Sequence, residues 1–75
     1  MNPMQNTTTI KYPIKPVSAI DDNCVLNQLP MNIRHQLGTE LESGFHLFLH
    51  RRDLIFEGGV VQYTLGADTA IVELN

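Results

Sequence analysis

Seventy-five residues leave room for one domain, and a hydrophobic share of 43% is ordinary for a globular chain. Eight acidic residues against five Lys and Arg give a formal charge of -3, the reverse of the basic excess of a dedicated nucleic-acid binder. The single cysteine, Cys24, excludes an internal disulfide and fits a reducing, cytoplasmic setting, and no apolar run approaches the roughly 20 residues of a membrane span.

Residues 1–9 are polar and unpatterned and read as a flexible arm. From Ile10 to Val17 apolar and polar residues alternate, but Pro13 and Pro16 forbid a central strand, which leaves an edge strand or an extended arm. Asp21-Asp22-Asn23 is a turn signal, because Asx side chains bond their own backbone. Cys24 to Leu29 is then expected as a second short strand. Pro30 suits a helix start, Gly38 suits its end, and Ile33 and Leu37 stand four apart on one face between them. A helix of two turns cannot persist alone, so it must dock on a neighbouring surface.

That surface follows. Phe45, Leu47 and Leu49 alternate with His46, Phe48 and His50, the period of a strand, with the histidines expected on the more solvated face. Arg51-Arg52-Asp53 is expected at a hairpin tip, Leu54-Ile55-Phe56 returns, and Gly58-Gly59 breaks the run. Val60 to Leu65 is a further strand candidate, Gly66-Ala67-Asp68 a turn, and Ala70 to Leu74 one more strand or a short amphipathic piece. The sum is a mainly β, α+β chain with one short helix. So small a core commonly recruits disulfides, metals or a second copy, and a homodimer is the expectation here.

Catalytic and metal chemistry find little support. His46 and His50, four apart on a strand, stand roughly 13 Å from each other, too far for one tetrahedral zinc. Cys24 sits beside Val25 and Leu26, where a buried, inert thiol is expected. Glu40 and Glu42 have nothing beside them to raise either pKa, and no glycine-rich phosphate loop is present. Neither an enzyme nor a cofactor is expected.

Pro30, Ile33-Arg34, Leu37-Gly38, Glu40 and Glu42, the alternating Phe45/Leu47/Leu49, the charged Arg51-Arg52-Asp53 and the aliphatic Leu54-Ile55-Phe56 form an ordered, ungapped set. That set resembles the core of the AbrB/MazE family of swapped-hairpin dimers, small DNA-binding regulators and toxin-neutralising antitoxins. The resemblance implies a swapped-hairpin β-barrel dimer over residues 10–57, with 58–75 as an extension that is either an extra hairpin or a partner-binding tail. It implies DNA contact by Arg34 and His35 on the helix and by Asn27 and Gln28 before it, with Lys11 and Lys15 holding the backbone. A dimer would double Lys11, Lys15 and Arg34 into a basic face. In the extension, Tyr63, Leu65, Ile71, Val72 and Leu74 are the expected anchors for a cognate toxin. This chain departs from the family before Pro30, where Asn23-Cys24-Val25 replaces the usual glycine and basic residue. The expected function is an autoregulating antitoxin that binds operator DNA and its toxin. The alternative is a module that binds only protein. Arg34 favours the first, and the acidic balance favours the second.

Overall fold

Alternating β-branched, aromatic and polar residues dominate the second half of the chain, and there the backbone turns into a continuous meander. The computed structural model describes residues 7–48 and 50–75; residues 1–6, most of the expected arm, and Leu49 lie outside them. The elements are β1 (Thr8–Pro13), α1 (Asp22–Leu26), α2 (Met31–Leu37), β2 (Leu41–Phe48), β3 (Arg51–Phe56), β4 (Gly59–Thr64) and β5 (Thr69–Leu74). The five strands form one antiparallel sheet in the order β1-β5-β4-β3-β2. β1 thus closes onto β5 at one edge, and β2 forms the other. The protein is small and mainly β, with two short helices where one was expected.

β4 is the central strand, so residues 58–75 build the middle of the sheet. Across it, one hydrogen-bonded row joins Ile10, Val72, Val61, Leu54 and Gly44. Side chains alternate between faces, and this row lies under the helices. Val61, Val72 and Leu54 are fully buried there with Val25 of α1, and Ile33 and Leu37 of α2 pack into the same cluster. The opposite face, with Thr9, Glu73, Val60, Ile55 and Ser43 in one row, carries no helix among the described residues. Pro13 ends β1 at the sheet margin, where its missing N–H costs no ladder bond.

The segment from Cys24 corrects the expected strand. Val25 and Leu29 are four apart, a spacing that fits either period, and both are buried. Asp21 decides between them: its carboxylate accepts from the Cys24 N–H at 3.0 Å and caps α1. The turn signal at Asp21-Asp22-Asn23 is therefore a helix start, and Cys24 is exposed on that helix. The resemblance's first hairpin thus has no second strand here.

α2 begins one residue later than expected, with Pro30 as its N-cap, and ends at Gly38, whose φ of 111° lies in the region that favours glycine. The Gly58 N–H donates to the Leu37 carbonyl at 2.9 Å, so the β3–β4 turn satisfies the end of α2. A Cβ on Gly58 would run into the Gln36 carbonyl oxygen. Gly58 is thus a docking point and more than a breaker.

Arg51-Arg52-Asp53 lies inside β3, with the chain reversal just before it. The three charges are tolerated in a strand because each finds a partner. Arg51 Nε meets Asp53 Oδ1 at 3.1 Å on the open face, and Arg52 turns to the helix side. His46 pairs with Arg52 and Phe45 with Asp53 across β2 and β3. His46 therefore lies on the helix side and Phe45 on the open one, the reverse of the expected facing. Phe45 is 45% exposed in consequence.

Candidate functional site

Two polar constellations sit beside α1. In the first, the Asp22 carboxylate accepts from Arg52 Nη2 at 2.8 Å, from Arg52 Nε at 3.1 Å and from the Tyr63 hydroxyl at 2.7 Å. The Tyr63 oxygen in turn accepts from the Asp21 N–H at 3.1 Å. The bidentate Arg52 contact holds the Asp22 carboxyl below the usual carboxylate range, against desolvation, with Tyr63 adding to the effect. Burial, then the Asp22 carboxylate, push the Tyr63 phenol above its ordinary value. Neither group changes its proton near neutral pH, so the trio clamps α1 to the sheet and has no proton to exchange.

The second constellation is a cleft of about 330 Å³ between α1, α2 with the Gly38-Thr39 connection after it, and the end of β3. Its floor is apolar: Leu26, Leu37 and Phe56. Its rim is polar: Asn23, Asn27, Arg34, His35 and Thr39. Arg34 and His35 fall in the last turn of α2, where the unpaired carbonyls of the helix end favour cations. Arg34 is half-buried, and its Nε–H is buried with no hydrogen-bond partner among the described residues. A buried donor left unpaired costs about 1–3 kcal/mol, more when charged. Met31, 71% exposed, lines the same opening.

The structure brings Asn27, Arg34 and His35 together on this cleft. Gln28 is engaged elsewhere: its Oε1 accepts from the Lys15 N–H at 2.7 Å and its Nε2 faces the Lys15 carbonyl, tying the chain after β1 to α1. Lys15 is exposed at that tie. Lys11 pairs with Ile71 in the ladder, on the open side of the sheet from Arg34. No single face of the chain therefore gathers Lys11 with Arg34. Among the expected partner anchors, Tyr63, Val72 and Leu74 lie in the interior under the helices. Leu65 packs half-buried against that interior, and Ile71 is half-buried on the open face.

Asn23, Thr39 and Phe56 line the cleft without having been singled out. Asn23 looked like turn chemistry, and Phe56 like an anonymous core residue. Their convergence needs the helical course of residues 22–26, which the short-strand expectation hid. Among the described residues no three of His, Cys, Asp and Glu come together as a metal site, and no helix is long and apolar enough to cross a membrane. No protein-family model matches this sequence, and neither a curated protein nor a solved structure matches it.

Proposed function

We propose that this chain is a protein-interaction module that receives a short acidic and apolar segment of a partner in the cleft between α1 and α2. The observation that carries the proposal is the Arg34 guanidinium, which has no acceptor for its Nε–H among the described residues, on the rim of a cleft also lined by Leu26, Leu37 and Phe56. A carboxylate satisfies the guanidinium in a fork-like contact, and a neighbouring Leu, Ile or Phe side chain covers the floor. Duplex DNA is the poorer occupant. Arg51 and Arg52 are already held by Asp53 and Asp22, and Lys11 and Arg34 face opposite sides of the sheet. A phosphate backbone needs several cations on one surface, since each neutralised phosphate contributes to affinity.

The resemblance to AbrB/MazE regulators, with a swapped-hairpin dimer on operator DNA, carries the opposite expectation. Panning a random peptide library against the wild type and Arg34→Ala separates the two. The expected result is enrichment of Asp or Glu next to a large aliphatic or aromatic residue, with binding weakened about tenfold or more by Arg34→Ala. Peptides that bind both proteins equally overturn the proposal. So does binding of the chain's own upstream intergenic duplex that falls steeply with salt.

A further inference from the structure

We propose that the segment received by the cleft is Glu40-Leu41-Glu42 of a second copy of this chain, each copy seating the other's leucine in a two-fold dimer. This rests on the reading of the cleft as a peptide-binding site and names its occupant. The chemistry asked of that occupant is an acidic residue beside a large aliphatic one, and the chain carries it on its own surface. Leu41 is 42% exposed, and the glutamates on either side of it are exposed as well. Neither glutamate forms an ion pair among the described residues, and neither does Arg34.

The position of the segment follows from the bulge at the start of β2. In a regular strand Leu41 would share the open face with Ser43 and Phe45. The register on β3 shifts between Leu41 and Ser43, so that Leu41 pairs with Phe56 and Glu42 is the extra residue. Leu41 is thereby turned to the helix side, where Phe56 lines the cleft. Thr39, which precedes the segment, lines the cleft too. Projection and socket thus lie next to each other on one face. A two-fold axis between them brings each projection to the other copy's socket, because every contact in such an interface occurs twice.

Charge selects the second copy. Arg34 and His35 line the cleft, with no acidic residue beside them among the described ones, whereas the segment holds two carboxylates and no cation. In the dimer the glutamates meet Arg34 and His35, and Leu41 covers Leu26, Leu37 and Phe56. Side chains carry this contact. No strand is added to the edge of β2, which its bulges and Glu42 keep from pairing. Self-association then competes by mass action with any other partner for the cleft.

The test exchanges charges between the two sides. Wild type is expected to sediment at twice the 8.5 kDa of one chain at high concentration. Arg34→Glu alters only the socket and Glu40→Arg/Glu42→Arg only the projection, so each variant alone should dimerise at least about tenfold more weakly. Mixed in equal amounts, they should form a heterodimer, since each of its two contacts again joins opposite charges. Leu41→Ser, at an exposed position, should weaken self-association without a change of charge, and circular dichroism checks that every variant keeps the fold. A wild type that stays at 8.5 kDa up to millimolar concentration overturns the proposal. A dimer that none of these substitutions disturbs overturns it equally. In either case the cleft reading is decided separately, by whether acidic and apolar peptides still bind in a manner that depends on Arg34.

Discussion

Gly58→Ala is expected to cost about 3 kcal/mol or more, the upper end of overpacking penalties, and to lower Tm by roughly 15 °C in thermal unfolding. The obstacle is backbone. The added methyl meets the Gln36 carbonyl oxygen and stands 3.0 Å from the Leu37 Cα, and neither can swing aside as a side chain does. Relief requires α2 to lift off the sheet. That breaks the Gly58 N–H bond to Leu37 and loosens Ile33 and Leu37 from the core. Gly38→Ala is the control. Gly38 has open space around it but a φ of 111°, so its alanine variant pays only for backbone strain, about 1–3 kcal/mol. The larger loss at Gly58, where the φ is not positive, separates close approach from conformational freedom. If Gly58→Ala costs less than Gly38→Ala, the docking of α2 on the β3–β4 turn does not constrain that position.

The same contact marks where sequence reading reached its limit. Local signals spoke clearly for α2, since Pro30, Gly38 and the Ile33/Leu37 spacing depend only on near neighbours. The strands after residue 40 were legible for the same reason. α1 was not, because Val25 and Leu29 satisfy helix and strand periods alike, and Asp21 serves a turn or a cap equally well. Arg51-Arg52-Asp53 misled for a different reason. Three charges read as a turn unless the partners are known, and Asp22 lies thirty residues away in sequence from Arg52. The facing of β2 also escaped, because Phe45 marks an uncovered face at a sheet edge. Alternation reports that two faces differ, and says nothing of which one is roofed. Of the cleft, Asn27, Arg34 and His35 were visible through their chemistry, whereas Asn23 and Phe56 became visible only through topology.

The second large effect concerns the clamp on α1. Asp22→Ala is expected to cost about 2–3 kcal/mol in chemical denaturation, somewhat below a fully buried pair because both Asp22 and Arg52 retain partial exposure. Two hydrogen-bond donors, the Arg52 guanidinium and the Tyr63 hydroxyl, lose their acceptor together. Tyr63→Phe removes only one of those bonds and should cost about 1 kcal/mol. In the Asp22→Ala/Tyr63→Phe double variant the losses should fall short of additivity, since the two residues share one contact.

The pH dependence gives an independent reading of the same clamp. The folded pKa of Asp22 is lowered from 3.8, so its stabilisation is complete above that value and is lost as pH falls through the lower folded one. Tyr63 is raised from 10.0, so its contribution is complete below pH 10 and declines as the unfolded phenol ionises above it. Wild type and Asp22→Asn should therefore converge in stability as pH falls below 3.8. Tyr63→Phe should flatten the alkaline decline while leaving the acid one in place. An Asp22→Asn variant that keeps its full deficit in strong acid would mean that the carboxylate charge is not what binds α1 to the sheet.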